Sequence, residues 1–559
     1  MFIRVKKASH SQNSVVQLVE AYRENGKPKQ HVIKHIGTGK TKQEIGKLKS
    51  LAEAIKTQLT QDALLKTVTD AQAQYAKNIG DLKNVRKGTK LDATSLQELN
   101  HYVLGIHDIY GYIYELLEFT NLFSLPKRRE HAAKILREIV LYRIADPCSK
   151  RSSVNKLKKD FGISLNLDNV YQMMDKIDDA FCDRIQERAL ATTLRLTGDK
   201  LKVLFYDATT LYFESFTEDE LKQNGYSKDM KFNQPQVLFA LFVTREGLPV
   251  GYEVFPGATY EGHTLKPVLE RLKARYQIDE VIFVADRGML SIENLNFLEK
   301  NNIPYIMGAR LRSLTHTKQA EVLAWGSKIK EAAQKEENLY KDIEHTNNIE
   351  IKDGKRLVLS YSNKRALKDA YDRNKSILKL QKKLSKSKNP KNAISNYGYQ
   401  KYLRISGNAR LEINEEKLEK EAQWDGISGV YTNQLDLTDA EILSHYRSLW
   451  QVEESFRITK HDLRIRPIYH WSPKRVRAHI AISFMAFACI RYLEHRTKIQ
   501  YGKLSPEKIR KVLLRVQASI IRDKQTGKEY MLPSKLSTEA KHLYRVIGIK
   551  PPEQIQAIL

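Results

Sequence analysis

Between Lys202 and Arg312 the chain carries five short runs of apolar, β-branched and aromatic residues, and no other stretch limits its fold as strongly. They read VLFYDATTLYF, QVLFALFV, LPVGYEVF, VIFVAD and PYIMGAR. Runs this apolar belong to strands buried in a sheet. Arg245, Glu246 and Gly247 separate the second and third as a hairpin turn, and a helical stretch from His263 to Arg275 precedes the fourth. Three antiparallel strands, a helix and a further buried strand define an α/β arrangement.

The flanks differ in texture. The first forty residues alternate apolar and polar positions around Glu24, Asn25 and Gly26, which predicts a small antiparallel sheet, and Lys42 to Lys83 reads as helix. From His101 to Leu157 helical patterns follow, broken at Leu125–Pro126 and Asp146–Pro147. This basic helical region is either a DNA-binding module or a plain helical domain with a solvated face. After Arg312 a long stretch interrupts the core, with a helix over Thr317–Lys341, strands around Ile349–Tyr361, a basic helix and linker over Lys368–Lys391 and strand-like runs to Val430. The tail carries a basic helix around Pro506–Arg522. The expected division is 1–95 (sheet and helix), 96–198 (helical), 199–312 (core, first part), 313–437 (insertion), 438–498 (core, second part) and 499–559 (helical).

Lys and Arg total 94 against 66 Asp and Glu, a formal charge of +28. A polyanion is the natural partner, since neutralised phosphates release their counterions, and nucleic acid is the expectation. The longest apolar run, Ile480 to Ile490, is too short to span a bilayer and reads as a buried core helix. Three widely spaced cysteines, Cys148, Cys182 and Cys489, argue against a disulfide framework or a thiolate zinc site and for a reducing compartment, the cytoplasm.

Two carboxylates close buried runs. Asp207 follows VLFY and Asp286 follows VIFVA, with Ser291 a natural cap for the next helix. Either alone is more often a turn or cap residue. Together, on strands about 5 Å apart, they could reach one divalent cation. A third acid comes from a helix opened by the capping-box pair Thr438 and Glu441. Ile442, Tyr446, Leu449, Glu453, Phe456, Lys460 and Leu463 recur at three- and four-residue spacing, which puts Glu453 on the core-facing stripe and Glu454 off it. Tyr446, Glu453 and Lys460, each seven apart, then project along one line. Glu453 there needs a metal or a basic partner such as Lys460.

At this point the sequence resembles the DDE transposases of insertion sequences, in the cut-and-paste branch whose signature helix reads Y-x2-R-x3-E-x6-K. Tyr446, Glu453 and Lys460 match it within YRSLWQVEESFRITK, and YDATTLYFE, GYSKDMKFNQPQ, LPVGYEVFPGATYEGHTL, VADRGM and RIRPIYHW look like the same branch. Leu449 departs from it, standing where the signature has Arg. The resemblance implies an RNase H-like core with a mostly β insertion between Asp286 and Glu453, and Asp207, Asp286 and Glu453 as ligands of two Mg2+ ions, with Mn2+ as substitute. It further implies Tyr446 and Lys460 on the DNA phosphate, and a homodimer acting on the element's ends and a target DNA. In some relatives a Trp of the insertion stacks on a flipped base; Trp424 is the candidate, as base platform or as buried anchor. The rival readings are a catalytically inert, transposase-derived DNA-binding regulator and a structure-selective RNase H-like nuclease.

Overall fold

The structure is a computed structural model, and it describes residues 2–7, 13–24, 27–64, 82–84, 92–123, 128–198, 201–226, 233–275, 281–335, 344–351, 355–386, 402–405 and 411–558. It divides into two compact units. Unit 1 comprises residues 1–201, 207–259 and 451–559, and unit 2 comprises 202–206 and 260–450.

Unit 1 opens with the expected antiparallel sheet of β1 (Phe2–Lys7), β2 (Ser14–Glu24) and β3 (Lys27–Gly39). Asn25 and Gly26 lie outside the described residues. Helix α1 (Lys42–Leu64) packs on this sheet with Leu48 against Gly37 and Ile45 against Gly39; of the stretch predicted to continue it, residues 65–81 are likewise outside them, and Leu82 and Lys83 lie in a strand instead. A second sheet pairs the short β4 (Leu82–Asn84) and β5 (Leu96–Val103) with strands from the far end of the chain. Between them in sequence come α2 (Tyr112–Leu116), α3 (Arg128–Ala145), α4 (Lys150–Phe161), α5 (Leu167–Met174) and α6 (Asp179–Thr197). Ser149, Asn166 and Asp178 cap the last three, each accepting a backbone N–H of the first turn. The predicted break at Leu125–Pro126 falls outside the described residues.

Strand β6 (Val203–Tyr212) begins in unit 2 and ends in unit 1. In unit 1 its second half lies beside β7 (Gln236–Thr244), which forms an antiparallel hairpin with β8 (Pro249–Pro256). Gly247 makes this turn with φ of +78°, a conformation that favours glycine. In unit 2 the first half of β6 pairs in parallel with β9 (Ile282–Ala285), which pairs in parallel with β10 (Tyr305–Gly308). Helices α7 (Leu265–Arg275) and α8 (Ile292–Lys300) supply the connections. All five core strands fall on the five apolar runs, because burial on both faces leaves no polar alternation to mislead.

The stretch expected as a mostly β insertion is mixed. It contains α9 (His316–Lys335), β11 (Glu344–Ile351), β12 (Lys355–Ser362), α10 (Asn363–Lys386), β13 (Leu403–Ile405), β14 (Leu411–Ile413), α11 (Glu415–Ala422) and β15 (Ile427–Thr432). Three of its strands extend the core sheet, β15 pairing with β10 and β12 and β11 continuing outward from it, whereas β13 and β14 form a two-stranded sheet of their own. Leu311, Val322, Ile349, Leu357, Leu359, Tyr361 and Ile427 make its core.

Helix α12 (Asp439–Arg447) carries the predicted capping box of Thr438 and Glu441. The helix does not run on to Leu463 as expected. It breaks at Ser448 and Leu449, resumes as α13 (Trp450–Arg457), and widens into one π turn over Ile458–Asp462. The long α14 (Pro473–Tyr501) follows, apolar enough by composition to cross a membrane, but with 94% of its apolar window buried within the protein. It is the core helix that Ile480–Ile490 predicted. The basic helix expected over Pro506–Arg522 stops at Leu514, as α15 (Pro506–Leu514), and Gln517–Asp523 is instead β16, paired with β5 and with β17 (Glu529–Pro533). Ala518 and Ile520 alternate with Gln517 and Ser519 as in a strand, and the register shifts where Ile520 and Ile521 stand side by side. Helix α16 (Thr538–Ile547) and β18 (Gln556–Ile558) complete unit 1.

Candidate active site

In unit 2, Asp286 is the first residue beyond β9 and the N-cap of a single 3-10 turn, Arg287–Met289. Its side chain is exposed, and Oδ1 accepts the Arg287 backbone N–H at 2.7 Å. The Tyr446 hydroxyl, from the last turn of α12, donates to the same oxygen at 3.4 Å. Burial and then the Asp286 charge push the Tyr446 ionisation upward, so the phenol stays a proton donor. Gly308 ends β10 beneath it, where a Cβ would stand 2.3 Å from the Tyr446 oxygen. The ring can lie there because residue 308 has no side chain. Arg310 braces the turn that carries Asp286, donating from Nε to the Arg287 carbonyl at 3.1 Å and from Nη2 to that of Gly288 at 3.4 Å.

Asp286 and Tyr446 form one wall of a cavity of about 1140 Å³, also lined by Arg287, Arg365, Tyr402 and Trp424. Two further arginines of its lining are neutralised locally. Arg373 forms a bidentate pair with Asp425, both contacts at 2.6 Å, and Arg312 pairs with Glu421 at 2.7 Å while lying 6.0 Å from the Trp424 ring centre. Arg287 makes no side-chain hydrogen bond or ion pair among the described residues, and Arg365 only a loose 3.8 Å contact with Asp369. The Trp424 ring packs against the core of the insertion and also faces the cavity, so the two roles weighed for it do not exclude one another.

In unit 1, Asp207 sits inside β6 rather than at its end, because the strand continues through Ala208 to Tyr212. It is half-buried between buried Tyr206 and Ala208, and its Oδ1 accepts the Ala208 N–H at 2.7 Å. Within unit 2 the final register pair of β6 and β9 is Tyr206 with Ala285, so Asp207 and Asp286 are each the next residue along their strands.

Glu453 is exposed, which corrects its expected place on a core-facing stripe. The break at Ser448–Leu449 resets the helical phase, and α13 turns Val452, Ser455 and Phe456 inward, Phe456 against Phe239 at 6.1 Å. Leu449 is buried at the break. The single line through Tyr446, Glu453 and Lys460 therefore does not exist, since Tyr446 lies on a different helix and Lys460 in the π turn. Glu454, read as a solvated neighbour, is half-buried and stands 3.7 Å from both Arg457 and Lys503. The start of α13 is fixed by Arg491 of α14, which donates to Gln451 Oε1 and to the carbonyls of Glu246 and Gly247, while pairing with Glu494 at 2.6 Å.

Sequence reasoning missed Arg310, Arg365 and Tyr402. Arg310 lies only two residues beyond β10, but nothing in its neighbours marks a brace; Arg365 and Tyr402 reach the cavity through the tertiary fold alone. Among the described residues no three His, Cys, Asp or Glu side chains are grouped so that they could hold a metal ion.

Comparison with known families finds matches in two parts of the chain. The model of the IS1634 family transposase N-terminal domain matches residues 3–67, which hold the first sheet and α1. No curated protein matches the chain. The model described as the transposase DDE domain matches residues 198–489, more than half of the 559 residues and the whole span from β6 into α14. The chain therefore belongs to the DDE transposases of insertion sequences, enzymes that cut and join DNA in transposition.

Proposed function

We propose that Asp207, Asp286 and Glu453 are the catalytic carboxylates and hold two Mg2+ ions, for which Mn2+ substitutes. The observation that carries this reading is the parallel pairing of β6 with β9, whose last register pair is followed on both strands by an aspartate. The donor set fits a hard cation: oxygen ligands only, with Asp286 exposed and its Oδ2 reached by no hydrogen bond among the described residues. Mg2+ takes one or two carboxylates and completes its shell with water and substrate phosphate oxygens, so it does not need a preformed protein cage. Bound there, such ions supply a water of lowered pKa and stabilise the leaving 3′ oxygen.

The protein's own groups do the positioning. Tyr446 remains protonated and directs its hydroxyl toward the Asp286 carboxylate, where it can also donate to a phosphate oxygen. Lys460 adds a cation for the same DNA phosphate. Trp424, at the cavity wall beside Arg312, offers a face to a displaced base. Water attack frees the element's 3′ end, and that hydroxyl then attacks a phosphate of the target DNA, with the target's own 3′ oxygen leaving. A homodimer holding two ends is what the resemblance to this family implies for the assembly.

The test is incubation with Mg2+ or Mn2+, labelled element-end DNA and a target duplex, comparing the chain with Asp207→Ala, Asp286→Ala and Glu453→Ala. Each variant should lose nicking by on the order of 10⁴-fold, as groups acting as one unit do. Equal nicking by wild type and variants defeats the assignment, cleavage without joining supports a plain nuclease, and DNA binding without cleavage by the wild type supports an inert regulator.

A further inference from the structure

The segment RIRPIYHWS, Arg464 to Ser472 in unit 1, has no part in the site above, yet it is unusually built. Its inner side is locked down. Ile465 and Ile468 are buried, and the Ile468 N–H donates to the Tyr212 carbonyl at 3.1 Å. The buried Arg143 of α3 donates to the carbonyls of Leu463 and Arg464, at 2.9 and 3.3 Å. His479 Nε2 donates to the Ile465 carbonyl at 3.0 Å. Arg464 is held at φ of 45°, an uncommon value for a residue with a side chain. The His470 ring is wedged against His479, with centroids 5.3 Å apart, and meets Tyr171 edge-on.

Its outer side is aromatic and wet. Tyr469 is 62% exposed and Trp471 is 73% exposed, on either side of the wedged His470. A backbone held this firmly usually turns such rings inward, because a free surface gains nothing from them. Cations gather beneath and around them, with Asp175 the acid that meets Arg475. Arg143, Lys150 and Arg475 all act on His470, whose proton affinity burial and these cations push down to about 3. Lys150 is buried with no hydrogen bond or ion pair among the described residues. Arg475 is paired with Asp175, but Arg464 and Lys474 are exposed and make no ion pair among those residues. Rigid, exposed ring faces over an excess of cations match a polyanion that also presents flat apolar faces.

We propose that Arg464–Lys474 is a second DNA contact, a platform on which Tyr469 and Trp471 stack with bases of an unpaired strand while Arg464 and Lys474 hold its phosphates. Unpaired bases are required because a duplex hides their faces within its own stack. The choice of DNA rests on the transposase reading, whereas the stacking does not depend on the catalytic carboxylates.

The test uses the full chain in chelator without divalent metal, so that no cleavage occurs, and a labelled single-stranded oligonucleotide beside a duplex of the same sequence. Tyr469→Ala and Trp471→Ala should each weaken single-strand binding roughly tenfold while changing duplex binding by less than about twofold, and Trp471→Phe should retain most of it. Binding of the single strand should quench part of the tryptophan fluorescence, and the part due to exposed Trp471 should be missing in Trp471→Ala. Unaltered single-strand binding by the doubly substituted chain overturns the proposal. So does an equal loss on both probes, which leaves only a general phosphate surface. Persistent nicking by the Asp207 and Asp286 variants refutes the catalytic reading instead, and leaves the oligonucleotide result standing.

Discussion

Tyr446 and Gly308 make a pair that can be dissected. Gly308→Ala places a methyl 2.3 Å from the Tyr446 oxygen and should cost about 1–3 kcal/mol through overpacking, read as a lowered melting temperature. Adding Tyr446→Phe removes the clashing atom, so the double variant should recover part of that loss, and strict additivity would show that the two residues do not share this contact. Tyr446→Phe alone gives up one long hydrogen bond and should cost no more than about 1 kcal/mol in stability. Its effect belongs in cleavage of element-end DNA, which should slow by more than metal-free DNA binding weakens. Of these residues only Tyr446 was legible in the sequence, through its spacing to Glu453. The glycine that admits its ring, and Arg310 that braces the turn opposite, are tied to it by folding and by no local pattern.

Among the elements, the helices around the acidic signature show where reading by period fails. Spacing of seven fixes direction only along an unbroken helix of one pitch. The break at Ser448–Leu449 and the π turn at Ile458–Asp462 each change the phase, and Glu453 emerges exposed. The core strands had no comparable trap, since their runs are apolar throughout and bounded by turns. Likewise α14 was legible as a buried helix from composition alone. What anchors α13 was not: Arg491, on α14, ties Gln451 to the Glu246–Gly247 turn. Arg491→Ala should cost about 3–5 kcal/mol, because it leaves the buried Glu494 carboxylate without its partner. Gly247→Ala, with a Cβ 1.5 Å from the Arg491 guanidinium and φ of +78°, should destabilise the same knot. Chemical denaturation measures both; a Gly247→Ala chain as stable as wild type would show that the turn tolerates a side chain.

On the scale of the whole molecule the net charge of +28 governs how the chain meets its substrate. Binding to duplex DNA should weaken steeply as salt rises, with a linear fall of log affinity against log salt; a flat response would mean that few phosphates are neutralised. The same excess of cations meets several buried histidines. His470 is pushed down to about 3 and His495 to about 4, and His479 lies well below its ordinary 6.5, in each case first by burial and then by neighbouring cations, with Glu246 opposing them at His495. With folded-state values depressed, the unfolded chain takes up protons first. Stability is therefore complete above about pH 6.5 and declines as the pH falls toward 4, which a series of thermal melts should follow. His479→Gln should flatten part of that decline, and an unchanged profile would remove this residue from the account.

The division of β6 carries a consequence for how the protein comes into being. The chain passes between the two units at residues 201/202, 206/207, 259/260 and 450/451, so no single cut releases either one. Unit 1 begins with the first sheet but lacks α13, α14 and its closing strands until residues 451–559 have been synthesised. A nascent chain still on the ribosome, or a copy truncated by a stop codon before residue 451, thus has neither Glu453 nor the helix that fills the core behind it. If Glu453 acts as proposed, competence to cut DNA arrives only after residue 451 has been synthesised, and a gene shortened before that point yields no partial enzyme.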